Sequence, residues 1–126
     1  MARRILIVDD EPLMLSSIQR DLCELPPEYE LLFANNGKEA LQKFVLADIA
    51  LLITDIFMPE IEGLGLITAV RSKYPAVKII AMSGGGIIRD LQYLDFAKKL
   101  GTAQTLAKPF TKEELLSVIY RAFAQG

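Results

Sequence analysis

The chain has 126 residues, 52% hydrophobic and 24% charged, with a net charge of −2. That length favours one domain, 1–126, with material for a real core, and the slight negative charge gives no general attraction to nucleic acid. No apolar run approaches the ~20 residues that span a bilayer and no cleavable signal opens the chain, so no membrane insertion and a cytoplasmic location are expected.

Histidine is absent, which removes imidazole general bases, most zinc sites and any phosphohistidine carried on this chain. The single Cys23 rules out an internal disulfide or a thiolate cluster. Lying between Leu22 and Leu25 on an expected helix, it reads as a buried, inert thiol. Carboxylates, hydroxyls and lysines are left to carry the chemistry.

In chain order, Arg3 to Val8 is a strand, followed by Asp9-Asp10-Glu11-Pro12. Pro12 suits the first position of a helix, where its missing N–H costs nothing. Leu15, Ile18, Leu22 and Leu25 then recur at near-helical spacing until Pro26-Pro27 stop the helix. Tyr29 to Ala34 is the second strand. Asn36-Gly37 leads into a helix with Ala40, Leu41, Phe44 and Val45 on its buried face. Ala50 to Thr54 is the third strand and ends in Asp55 and Pro59. Glu60 to Gly65 reads as a loop, and Leu66, Ile67 and Val70 mark a third helix ending near Tyr74-Pro75.

Val77 to Met82 forms the fourth strand, with Ser83-Gly84-Gly85-Gly86 behind it. Ile87, Ile88, Leu91, Leu94 and Leu100 suit a fourth helix, closed by Gly101. Gln104 to Ala107 is a short fifth strand before Lys108-Pro109. Thr111 and Glu114 form a capping box for a last helix whose buried stripe is Leu115, Ile119 and Phe123. Strands alternating with helices give an α/β fold with a parallel sheet.

Polar groups follow the apolar runs at the strand ends: Asp9-Asp10, Asp55, Ser83 and Lys108. Taken singly, the acids before Pro12 could be a helix start, and Lys108-Pro109 or Ser83 could belong to a turn. A strand order of 2-1-3-4-5 would bring all of them into one crevice beyond the carboxyl ends of the strands. Crowded carboxylates repel, and a hard cation such as Mg²⁺ relieves them. Lys108 and the Ser83 hydroxyl suit phosphate oxygens. Together they describe a pocket for phosphoryl transfer onto a carboxylate, with no side-chain base required.

On the motifs Ile-Leu-Ile-Val-Asp9-Asp10-Glu11-Pro, Ile53-Thr-Asp55-Ile-Phe-Met-Pro59, Met82-Ser83-Gly84 and Ala107-Lys108-Pro109-Phe110, residues 3–124 resemble the receiver (response-regulator) domain of two-component signalling. The resemblance implies a single-domain flavodoxin-like (βα)5 three-layer sandwich with a parallel five-stranded sheet of order 2-1-3-4-5. It makes Asp55 the phosphoacceptor for a sensor histidine kinase or histidine phosphotransfer protein. It implies Mg²⁺ bound by Asp10, Asp55 and the backbone carbonyl of Phe57, with Asp9 acting through water. Ser83 would hydrogen-bond the aspartyl phosphate, Lys108 would pair with it, and the Lys108–Pro109 bond would be cis. Such a module is not a conventional enzyme, beyond self-catalysed phosphorylation and dephosphorylation.

The chain departs from the family pattern in places. Thr105 stands three before the lysine, where an aromatic switch residue is frequent, and Glu62 where Asp is frequent. The bulky Phe57 is expected to shield the acyl phosphate from water, against the open access that Gly84-Gly85-Gly86 would give. By the same resemblance, a downstream effector would meet the face of the fourth helix, fifth strand and fifth helix, with Tyr93, Phe96, Lys98, Lys99, Tyr120 and Arg121 as contacts. No DNA-binding segment is seen before Gly126, so a stand-alone receiver and an excised one are both open. An alternative is an aspartyl-phosphate phosphatase of the haloacid-dehalogenase type, although Asp55-Ile56-Phe57 lacks its second acid. A flavodoxin-like flavin carrier would meet three acids where it needs a phosphate loop.

Overall fold

The computed structural model describes residues 3–56, 63–84, 99, 101–102 and 104–124. Its sheet is built from β1 (Arg3–Val8), β2 (Tyr29–Ala34), β3 (Leu51–Asp55), β4 (Lys78–Ser83) and β5 (Gln104–Ala107). All neighbours pair in parallel, in the order β2-β1-β3-β4-β5. The expected third and fourth strands are each displaced by one residue, so that Asp55 and Ser83 are the last ladder residues instead of the first residues beyond it.

The described helices are α1 (Pro12–Asp21), α2 (Gly37–Leu46), α3 (Gly63–Lys73) and α4 (Lys112–Ala124). Successive strand side chains point to opposite faces, and both faces are covered. Leu6, Val8, Leu52, Ile79 and Ala81 pack with Ala40 and Phe44 of α2 and Leu66, Ile67 and Val70 of α3. Ile5, Ile7, Leu51, Ile53, Ile80 and Met82 pack with Ile18 of α1 and Leu115, Val118, Ile119 and Ala122 of α4. The result is the three-layer flavodoxin-like arrangement, and burial on both faces accounts for the continuous apolar runs of the central strands. Most of the expected fourth helix lies outside the described residues.

Several local expectations are corrected. The first helix ends at Asp21 and tightens into a 3-10 turn over Leu22–Glu24. Leu22 stays buried while Cys23, the next residue round that turn, points to solvent and is exposed. Val45 is 73% exposed, as is its neighbour Leu46 at 81%. At about 100° per residue, Val45 lies far round α2 from the stripe of Gly37, Ala40 and Phe44 that meets the sheet. The stretch read as a loop up to Gly65 is helical from Gly63. Leu15, Leu25 and Phe123 are only partly buried against the core, and Phe123 packs on Tyr29 with ring centroids 5.6 Å apart.

Two expected start signals for helices stand as drawn. The Asn36 side chain accepts the Glu39 N–H at 2.8 Å and caps α2. Thr111 and Glu114 exchange hydrogen bonds of 3.0 and 3.1 Å ahead of α4.

Candidate functional site

The chain passes from β1 to β2 on one side and later to β3 on the other, which opens a crevice beyond the carboxyl ends of β1 and β3. Asp9 follows β1 directly, and its N–H donates to the Ala34 carbonyl at the end of β2, 3.2 Å away. Its side chain is fully buried, and both carboxylate oxygens are engaged. Oδ1 accepts the Glu11 N–H at 2.9 Å, which turns the chain into α1, and Oδ2 accepts from Lys108 Nζ at 2.7 Å.

Asp55 closes β3 opposite Met82 of β4 and is buried. Its backbone is held on two sides. The Thr54 hydroxyl donates to the Asp55 carbonyl at 3.0 Å, and the Ile56 N–H donates to Met82 at 3.1 Å. Its carboxylate Oδ2 accepts from Lys108 Nζ at 3.0 Å. Lys108 follows β5, with its backbone N–H on the Ser83 carbonyl at 2.8 Å. The Lys108–Pro109 peptide is cis, as the resemblance implies.

The crevice is dominated by negative charge. Carboxylate oxygens of Asp9, Asp10, Glu11 and Asp55 all lie within 4.8 Å of one another, and Lys108 is the ammonium bonded among them. Burial alone would lower the Lys108 pKa. The hydrogen bond to Asp9 and the charge of Asp55 outweigh it, and the ammonium is held above its ordinary 10.5. Hard oxygen donors in excess of local positive charge are what a divalent cation of the Mg²⁺ type requires, so the residues present fit such an ion.

Ser83 ends β4 fully buried, and its hydroxyl has no hydrogen-bond partner among the described residues. An orphaned buried hydroxyl beside an acidic crevice marks a place where a further acceptor would be welcome. The structure thus brings together Asp9, Asp10, Asp55 and Lys108, with Ser83 at the adjoining strand end. It adds Glu11 and Thr54. Glu11 was legible as the third acid of its run, and Thr54 as the lone hydroxyl in an apolar strand. Thr105 sits half-buried on β5 opposite Ala81. Phe57 and Glu62 lie outside the described residues, as do Tyr93, Phe96 and Lys98, while Lys99, Tyr120 and Arg121 are exposed.

A family model described as the response regulator receiver domain matches residues 5–120. The chain belongs to that family. It is a receiver domain of the kind used in two-component systems. It is 32% identical to the uncharacterized transcriptional regulatory protein YesN of Bacillus subtilis over 97% of this chain but only 33% of that one. It is 30% identical to the chemotaxis protein CheY of Listeria monocytogenes over 94% of this chain and 97% of the other. Among solved structures, the response regulator TrrA of Thermotoga maritima, in complex with Mg²⁺-BeF, superposes with a TM-score of 0.82 at 32% identity. That match covers 95% of this chain and 98% of TrrA. The receiver thus spans a third of YesN and nearly the whole of CheY. Among the described residues no helix is long and apolar enough to cross a membrane.

Proposed function

We propose that this receiver accepts a phosphoryl group onto Asp55 from the phosphohistidine of a sensor histidine kinase or histidine phosphotransfer protein, in a Mg²⁺-dependent reaction. The observation that carries the reading is the Lys108 ammonium bridging Asp55 and Asp9, two of the four clustered carboxylates. An Asp55 carboxylate oxygen attacks phosphorus, the O–P bond forms and the P–N bond of the donor breaks. The electron pair stays on the imidazole nitrogen. Asp10, Asp55 and the Phe57 carbonyl would hold Mg²⁺ directly, with Asp9 acting through water. The cation supplies neutralisation of the phosphoryl oxygens. The Mg²⁺-BeF complex of TrrA, a protein 32% identical to this chain, supports the use of Mg²⁺.

In the product, Lys108 pairs with a phosphoryl oxygen and the Ser83 hydroxyl donates to another. The added charge draws in both groups and biases the segment that follows β4. The face around β5 and α4, with exposed Tyr120 and Arg121, then meets a downstream effector. The module is a switch with at most self-catalysed gain and loss of phosphate, acting in the cytoplasm.

Incubation with acetyl phosphate and Mg²⁺, followed by intact-mass measurement, tests this. One phosphoryl adduct per chain, absent without Mg²⁺ and absent in Asp55→Ala, is expected. Turnover of many phosphomonoesters without a retained adduct would point instead to a phosphatase and overturn the reading.

A further inference from the structure

Helix α3 begins on a residue that touches the candidate acceptor's own backbone. The Gly63 N–H donates to the Ile56 carbonyl at 3.1 Å, so the start of α3 is seated on the residue that follows Asp55. Gly63 is buried there. A Cβ placed on it would overlap the Asp55 carbonyl oxygen and the Ile56 Cα, and would stand 2.8 Å from the Asp55 carbonyl carbon. All three are main-chain atoms, so no rotamer change relieves the overlap. Its φ lies outside the left-handed region, unlike that of Gly101 at +88°. Space, not conformation, demands the glycine.

Neither side of this contact yields easily. On the strand side, Asp55 is registered with Met82, its carbonyl takes the Thr54 hydroxyl, and the Ile56 side chain is fully buried. On the helix side, Leu66, Ile67 and Val70 are fully buried in the core between α2, α3 and the sheet. Two rigid pieces therefore meet at Gly63. A methyl group there displaces one relative to the other by on the order of 1 Å, a shift that packed interiors do not absorb locally.

We infer that Gly63 is a positioning residue for Asp55, seating the last turn of strand β3 against the start of α3 so that the carboxylate faces Lys108 and the acid cluster. The inference rests on Asp55 being the phosphoacceptor. Phosphoryl transfer at such a site depends almost wholly on placement, and an error of about 1 Å costs on the order of 100-fold in rate.

The test compares phosphorylation kinetics with acetyl phosphate at saturating Mg²⁺ in the parent, Gly63→Ala and Gly65→Ala. Gly65 lies in the same helix and is exposed, so Gly65→Ala leaves the rate unchanged and raises the melting temperature. Gly63→Ala lowers the rate constant roughly 10- to 100-fold. A merely structural role would instead lower the fraction of chains labelled while the folded ones react at the parent rate, and that outcome overturns the inference. Should Gly63→Ala fail to fold, the parent decides. Its Gly63 amide resonance should shift when beryllofluoride and Mg²⁺ are added, and an unmoved resonance overturns the inference. If the parent takes no phosphoryl group, the phosphoacceptor reading falls and this one with it. If the parent is labelled and Gly63→Ala keeps its rate, only the role of Gly63 falls.

Discussion

Lys108 and Asp9, 99 positions apart in the chain, meet with Nζ 2.7 Å from Oδ2. Asp9 is fully buried and the lysine side chain is 11% exposed, so this pair is shielded from salt and solvent. Removing one partner of a buried pair leaves an uncompensated charge, at a cost of about 3 kcal/mol. Lys108→Met is therefore expected to lower the stability of the unphosphorylated protein by about that amount at neutral pH.

The pH dependence has a definite sign. The Lys108 pKa is raised in the folded protein above its ordinary 10.5, so the folded state holds that proton more tightly than the unfolded one. Its contribution is complete below the unfolded value and fades as pH rises through the folded one. Urea denaturation of the parent and Lys108→Met should show a constant stability gap up to pH ~10 that narrows above it. A gap that widens with alkalinity would mean that the bridge does not stabilise the fold.

Asp10 is exposed and belongs to the group of carboxylates within 4.8 Å of one another. Unit charges 4 Å apart repel by about 1 kcal/mol even in bulk water. Asp10→Asn should therefore raise stability without metal by about that amount. A ligand that binds only the folded state stabilises it by mass action, so the melting temperature of the parent should climb with millimolar Mg²⁺ and that of Asp10→Asn much less. Equal climbs in both would remove Asp10 from the cation site.

What could be read from residues alone divides along physical lines. Runs such as Leu51 to Ile53 and Ile79 to Met82 are legible because burial on both sheet faces leaves only apolar side chains. The order of strands is a long-range fact that the family resemblance supplies, whereas the direct bond between Asp9 and Lys108 is seen only in the structure. Val45 was misread because a one-residue step at the edge of a helical stripe decides burial, and spacing alone does not locate that edge. Cys23 is exposed because one residue, about 100° of helical rotation, separates it from the buried Leu22, so lying between two leucines in sequence does not place it on their face. The demand on Gly63 was invisible, since nothing in the sequence says which backbone will pass against it.

Thr111 and Glu114 offer a local test of the last helix. Their reciprocal bonds satisfy N–H groups that have no partner within α4. Thr111→Ala should cost about 1 kcal/mol, read as a fall of roughly 3–5 °C in melting temperature. Thr111→Ser keeps the oxygen and should stay near the parent. Equal losses for the two would show that the threonine methyl, not the cap, matters.

Ser83 makes a prediction with opposite signs in the two states of the switch. Its hydroxyl is fully buried without a hydrogen-bond partner among the described residues, and such a group is a burden of about 1 kcal/mol. Ser83→Ala should thus leave the unphosphorylated protein as stable as the parent, or more so by up to that amount. In the phosphorylated state proposed above the hydroxyl would donate to a charged acceptor, a bond worth about 1.5–3 kcal/mol. The same substitution should then weaken beryllofluoride binding roughly 10- to 100-fold. Thermal melting of the free protein and fluoroberyllate titration of both forms measure the two halves. A marked loss of stability in the free protein would mean the hydroxyl already has an acceptor. Unchanged beryllofluoride affinity would mean that it never turns toward the phosphoryl group, and that strand β4 is tied to the site through its backbone, by the Lys108 N–H on the Ser83 carbonyl and the Ile56 N–H on the Met82 carbonyl.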